Sequence, residues 1–319
     1  MCAPSPPRPA TLVLCVALLC LVWGSTWIVI QTGLQDLPPF TSAGVRFAIA
    51  AVGMAIVAGV LARREGGGRP PRHLVLAMGI LNFAVSYGVV YWVETRVHSS
   101  LVAVLWAIYP MLLALISHRS LPGERLRGRQ WLGLAVGFAG LGVLFFKDLA
   151  ELGSEAVVAG AVLLVSPAVS AYGTVVVKRD GAGVSSLRLN RDAMVLGAVL
   201  LLAFAASLEH DAEVRWTGPA VFSLLYLSLA GTVLTFGLYY WAMRYAPAYL
   251  LALIAYVTPV IAIALGVGLA GEPVYWTTGV GAGLVLLGVA GVVRGRRQRP
   301  ATPRTGTAPS DASTTAAPR

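Results

Sequence analysis

The sequence predicts an all-α membrane protein of ten transmembrane helices, arranged as two inverted five-helix repeats. Three observations predict it. First, 57% of the 319 residues are apolar and only 12% charged, with a mean hydropathy of +0.76. Soluble domains carry roughly 25% charged residues, so this chain cannot solvate a soluble surface. Second, the apolar residues come in blocks of 16 to 24, long enough to cross a hydrocarbon core of about 30 Å at about 1.5 Å per residue. Third, Tyr87–Pro110 occurs again at Phe236–Pro259, with a shift of 149 residues. Gly88, Tyr91, Trp92, Leu101, Ala103 and Pro110 match Gly237, Tyr240, Trp241, Leu250, Ala252 and Pro259. Each copy then runs into a related tetrad, Leu121–Glu124 and Leu269–Glu272. Self-similarity at one fixed distance marks an internal duplication.

Taken in order, residues 1–10 (MCAPSPPRPA) read as a Pro-rich disordered lead. The first repeat covers residues 11–147 with spans Thr11–Gln31, Thr41–Ala62, Leu74–Val93, Ser99–Ser117 and Trp131–Phe146. The second covers residues 156–294 with spans Ala156–Val177, Ala193–Leu208, Gly218–Trp241, Ala248–Ala270 and Trp276–Val293. The first span is too long for a signal-peptide core and no small-x-small cleavage site follows it, so it reads as retained. Residues 295–319, basic and then rich in Pro, Thr and Ala, cannot bury a core and read as a disordered cytoplasmic tail.

The net charge of +10 does not point to nucleic acid, because the basic residues sit in short loops between apolar spans. With both termini in the cytoplasm, all but Arg46, Arg96, Lys147 and Arg215 of the 24 lysines and arginines fall on the inner side. That asymmetry sets the expected orientation in a bacterial inner membrane. Five spans per repeat is an odd number, so the second repeat enters the membrane upside down. Such inverted repeats hold a substrate site near the midplane, where the halves meet. Cys2, Cys15 and Cys20 cluster at the N-terminus and the four histidines are scattered, so no disulfide framework, metal or cofactor is expected.

Certain of these residues resemble the EamA-like branch of the drug/metabolite transporter superfamily. They are Trp23-Gly-Ser-Thr26, Pro38-Pro39 followed by Arg46-Phe47, the pair Tyr91-Trp92, Pro110 with Gly123-Glu124, and Pro259 with Gly271-Glu272. The match runs over about residues 12 to 293. The resemblance implies a ten-helix secondary transporter, often an exporter of amino acids, metabolites or drugs. It further implies a central cavity lined by spans 1, 3, 4, 6, 8 and 9, with spans 5 and 10 peripheral. One position departs between the copies: Glu94 in the first is Met243 in the second.

Glu94 is the sharpest candidate. Tyr87, Tyr91, Glu94 and His98 recur at helical spacing and share one face of span 3. Ionisable groups inside a membrane are costly and usually face a cavity, which suits a carboxylate that titrates protons or binds a substrate amine. The plainer alternative puts Glu94 at the outer interface, satisfied by Arg96 or by a lipid headgroup. Arg46 can hold a substrate carboxylate. The structural reading is favoured for it: snorkelling to the outer surface, or an ion pair with Asp36.

Pro110, Pro167 and Pro259 each free a backbone carbonyl four residues back, and kinks at matched positions suit gating. Trp23, Trp27, Trp106, Tyr109, Tyr172, Tyr240 and Tyr256 are even candidates for cavity lining or packing. Ser166 and Ser170 share a face of span 6 and are expected to bond their own backbone. Glu124 and Glu272 are expected at the N-terminus of the next helix. Gly133/Gly137 and Gly279/Gly283 are expected to bring helices close, with a homodimer interface as the other option.

These residues point to a secondary transporter that moves a small metabolite or amino-acid-like compound across the plasma membrane by alternating access, in the export direction. Protons are candidate coupling ions. A flippase for a lipid or lipid-linked sugar is the alternative. A membrane-embedded enzyme is set aside, because His98 and Ser99/Ser100 are adjacent and do not face each other on a helix.

Overall fold

Prolines open the first two helices, where a missing N–H costs nothing because no carbonyl precedes it in the helix. These are α1 (Pro9–Gly33) and α2 (Pro39–Glu65). Gly66, at φ +73°, ends α2 in a conformation that L side chains rarely adopt. The rest follow as α3 (Arg72–Glu94), α4 (Ser99–Trp106), α5 (Tyr109–Ser120), α6 (Gly128–Leu144) and α7 (Ser154–Leu163). After them come α8 (Val165–Asp180), α9 (Ser186–Leu208), α10 (Gly218–Met243), α11 (Ala248–Ile261) and α12 (Trp276–Arg297). This computed structural model describes residues 7–97, 99–144, 154–261 and 276–297. His98, Lys147, the Leu269–Glu272 tetrad and nearly all of the tail lie outside them.

Among the described residues every extended element is a helix, apart from one isolated bridge between Gly68 and Val184. Among the described residues, six stretches are long and apolar enough to cross a membrane: α1, α2, α3, α7 with α8, α9 and α10. The helix α11 and Gly279–Gly295 of α12 are shorter apolar segments. The usual soluble pattern is turned out. Leu14, Ile56, Leu132, Phe222 and Leu287 are exposed, while Arg46, Asn82, Glu94 and Thr174 are buried. Lipid tails are as apolar as leucine, so this outer surface needs no burial.

Two helices contain π-helical stretches, Ala77–Val85 in α3 and Leu229–Leu234 in α10. Under the 149-residue shift, Leu229–Leu234 falls inside the first stretch. The duplication thus repeats a local distortion as well as residues. Prolines interrupt two other spans. The chain breaks helix between Trp106 and Tyr109 just ahead of Pro110, and at Leu164 just ahead of Pro167. Pro259 behaves differently. Its span is interrupted at Leu253, and the Thr258 hydroxyl reaches the freed Ala255 carbonyl at 3.5 Å.

Helices α2 and α9 pack along their length and cap each other. Glu209, just past the end of α9, accepts from the Phe40 and Thr41 amides at 2.7 Å each, at the start of α2. Glu65, at the end of α2, accepts from the Ser186 amide at 3.0 Å, at the start of α9. A carboxylate at each positive helix end is favourable, and the reciprocal caps fix the two helices antiparallel. The same capping explains why α9 starts at Ser186, seven residues before the expected Ala193: Ser185 and Glu65 satisfy its first amides.

Glu124 also caps a helix, across the fold at α11. Its carboxylate accepts from the Ala248 amide at 2.8 and 3.0 Å, at the start of α11, and lies 3.8 Å from Lys178 Nζ. Lys178 in turn donates to the Met243 and Ala246 carbonyls. The expected glycine contacts are also redrawn. Helices α6 and α12 meet through Gly133, Gly137 and Gly140 against Gly281 and Gly288, whose added Cβ atoms would clash below 3.0 Å. Gly279 and Gly283 have nothing within 4 Å. The seam is therefore set by a different face of α12 than the one expected.

Candidate functional site

The interior side chains of α3 build one wall of a central cavity. Asn82 lies within the π-helical stretch and donates to Thr174 Oγ1 at 3.0 Å and to the Ser170 carbonyl at 3.1 Å. One turn on, Ser86 shares a 2.8 Å hydrogen bond with Ser166, which also accepts from Trp106 Nε1 at 2.9 Å. This polar seam ties α3 to α8. Ser166 and Ser170 therefore bond across helices and not to their own backbone as expected. Gly173 makes room for the seam, since a Cβ there would sit 2.0 Å from Asn82 Oδ1.

The cavity holds about 890 Å³ of empty space, counting the part open to solvent. Its walls come from α1 (Trp23, Thr26, Trp27, Ile30), α2 (Arg46), α3 (Asn82, Ser86, Tyr87, Val90) and the α4–α5 segment (Ala103, Trp106, Tyr109). The other half adds α8 (Ser170, Thr174), α10 (Phe236, Tyr239, Tyr240) and α11 (Leu251, Ala252, Ile254, Ala255, Thr258). Aromatic rings dominate. Trp27 lies 6.2 Å from Trp106, which stacks on Tyr109 at 4.7 Å, and Trp23 packs against Phe236 and Tyr239. Below them Tyr109 donates to Thr174 at 3.2 Å and shares a 3.3 Å contact with the Tyr239 hydroxyl.

Arg46 neither snorkels nor pairs with Asp36. It is 1% exposed, and Asp36 is held instead by Arg215 at 2.9 Å and by Thr217. The guanidinium donates to Thr232 Oγ1 at 3.0 Å, to the Tyr91 hydroxyl at 3.0 Å and to the Gly231 carbonyl at 3.3 Å. It stands 4.8 Å from the Tyr87 ring centroid. The Tyr87 hydroxyl is within its hydrogen-bonding reach as well, so both phenols of α3 hold this cation.

Glu94 closes α3 at its far end. It is 4% exposed, and among the described residues neither carboxylate oxygen has a hydrogen-bond partner. Arg96 does not satisfy it: that side chain folds over the Trp92 ring at 3.7 Å and bonds the Trp92 carbonyl. Arg46 and Glu94 interact electrostatically without an ion pair.

The remaining candidates fall into two groups. Trp23, Trp27, Tyr87, Trp106, Tyr109, Tyr240 and Arg46 are brought together in the cavity wall. Tyr91 and Glu94 stand just behind it on α3. Tyr172 points outward, at 56% exposure. Tyr256 is fully buried outside the cavity, packed on Gly137 with its hydroxyl on the Leu134 carbonyl at 3.1 Å. The reading from sequence missed Asn82, Thr174, Phe236 and Tyr239. Only the helical spacing from Asn82 to Ser86 could have flagged the first of these.

A model of the EamA-like transporter family matches the chain twice, over residues 10–146 and 158–294. The chain belongs to the EamA-like transporter family. Among curated relatives, the uncharacterized inner membrane transporter YedA of Escherichia coli K12 is 31% identical over 293 residues, covering 89% of this chain and 91% of YedA. The uncharacterized transporter YoaV of Bacillus subtilis is 26% identical over 246 residues, covering 77% and 84%. A solved crystal structure shares the fold with a TM-score of 0.76 at 21% identity, covering 91% of this chain and 99% of that one. An EamA-like chain of this kind is a transporter built from membrane helices. No catalytic family is indicated. The cavity is lined from the spans that the family resemblance implied, with Arg46 of α2 in addition.

Proposed function

We propose that this chain is a secondary transporter that exports a small amphipathic metabolite or amino-acid-like compound across the plasma membrane by alternating access. The carrying observation is Arg46: a buried cation in the wall of a cavity rich in aromatic rings. A carboxylate docks on a guanidinium fork, and an apolar body packs on Trp27, Tyr87 and Trp106. The halves act as two inverted five-helix repeats, a reading supported by the double family match, the repeated π stretches and the antiparallel, mutually capped α2 and α9. Helix breaks just ahead of Pro110 and Pro167 supply bend points, and the interruption at Leu253 supplies one in the second copy.

Glu94 is the coupling carboxylate in this reading. Glu94 is buried at the end of α3 and interacts electrostatically with Arg46, so gain or loss of a proton there changes the charge facing Arg46. The test is uptake of labelled amino acids into inside-out vesicles from cells expressing the chain, with and without a proton gradient. Gradient-driven uptake that Glu94→Gln abolishes is the expected result. Uptake indifferent to both gradient and mutation would make the protein a facilitator and Glu94 structural. Uptake no greater than in vesicles lacking the chain would overturn the amino-acid-like substrate and turn the search to drugs, sugars and lipids.

A further inference from the structure

A second cavity opens at the end of the bundle that carries the arginine-rich loops. It is lined by Lys178, the 181–184 loop, the start of α9, and Tyr240, Met243 and Arg244 of α10. Among the described residues, Tyr240 alone lines both this cavity and the central one. One side chain thus stands between the substrate cavity and the arginine-rich face. We propose that Tyr240 is the gate at this face and that the second cavity is the outer mouth of the same path. This rests on the transporter reading above.

The way Tyr240 is held suits a part that moves. Its neighbours in the cavity floor are fixed through their hydroxyls: Tyr109 to Thr174, and Tyr109 to Tyr239. The Tyr240 hydroxyl is buried and reaches only the Thr174 hydroxyl among the described residues, an oxygen that already accepts from Asn82 and Tyr109. Ring packing does most of the holding, edge-on to Tyr239 at 5.3 Å and stacked on Phe236 at 6.2 Å. Swinging this ring away costs at most that one shared contact. The backbone beside it is anchored, because Lys178 holds the Met243 and Ala246 carbonyls. A rigid helix end with one loosely held ring is what a side-chain gate requires.

The duplication gives an independent argument. Tyr240 and Met243 occupy the repeat positions of Tyr91 and Glu94. In the inverted arrangement the two pairs belong to opposite mouths. Tyr91 is pinned by Arg46 at 3.0 Å and backed by a carboxylate. Its counterpart has no charged partner among the described residues and is backed by a buried methionine. One mouth is therefore controlled by charge and the other by an apolar plug.

The test uses full-length protein with Cys2, Cys15 and Cys20 replaced by serine and a reporter thiol at Ala252→Cys, in the central cavity. A membrane-impermeant trimethylammonium methanethiosulfonate is applied to each side of vesicles of known orientation. Tyr240→Ala should raise labelling from the arginine-rich side at least tenfold and leave labelling from the other side unchanged. Tyr240→Phe, which keeps the ring, should label at the parent rate. If Tyr240→Ala fails to fold, Tyr240→Leu carries the test. Equal rates in the folded truncated variant and the parent would overturn the gate. So would fast labelling from the arginine-rich side in the parent. Failure of the transporter reading looks different: the labelling change appears, and no solute is taken up.

Discussion

At the scale of single residues, Arg46 and Glu94 contribute to stability with opposite sign. Arg46 is buried with three hydrogen bonds and three aromatic neighbours. Removing it takes the donor from the Tyr91 hydroxyl, while Thr232 keeps its 2.7 Å bond to the Leu227 carbonyl. Glu94 is buried with no hydrogen bond among the described residues, so its desolvation is offset only by the charge of Arg46. Groups kept for function at a stability cost are common in active sites. Glu94→Gln is therefore expected to raise stability by about 1 kcal/mol or leave it unchanged, while Arg46→Gln lowers it by about 2–3 kcal/mol. Thermal unfolding in detergent at neutral pH reads both. A Glu94→Gln protein much less stable than the parent would make the carboxylate a structural anchor. Little of this was legible from the chain, because Arg46 finds its partners on α3 and α10, at sequence distances of 45 and 186 residues.

At the scale of elements, apolar block length located the helices well, since crossing hydrocarbon demands it. Where the chain departs from a plain α-helix, composition is silent. The stretch AMGILNFAV is π-helical, yet it reads like any apolar helix. Proline marked two of the breaks and misplaced the third. Glycine motifs were legible as close-contact signals, but which glycines make contact depends on the rotation of α12. Gly288 approaches Gly133 and Gly137, so a methyl group there would sit 2.5 Å from backbone atoms. Gly283 faces open space. Gly288→Ala should lower the unfolding midpoint by several degrees, through overpacking of about 1–3 kcal/mol. Gly283→Ala should leave it unchanged or slightly raised, because alanine favours helix. Equal effects at the two sites would mean that α6 and α12 do not pack as described.

At the scale of the whole molecule, charge and geometry must agree on which face is inside. The reciprocal caps of α2 and α9 divide the molecule into two ends. One carries Glu65, Ser186 and Arg244; the other carries Asp36, Glu209 and Arg215. Arg63, Arg64, Arg119, Arg125, Lys178, Arg179, Arg188 and Arg191 all belong to the first end or to the loops beside it. Insertion machinery retains such loops in the cytoplasm. The first helix starts and the last helix ends on that same side, since α1 reaches the Asp36 end at its C-terminus and α12 runs toward Arg297. Fusion of a fluorescent protein to either terminus should therefore give fluorescence, and fusion of a periplasm-dependent phosphatase should give no activity. A phosphatase inserted at residue 211 or 212, in the loop between α9 and α10, should be active. The opposite pattern would reverse the transport direction assigned to a given vesicle side, and place the Tyr240 gate at the periplasmic mouth instead of the cytoplasmic one.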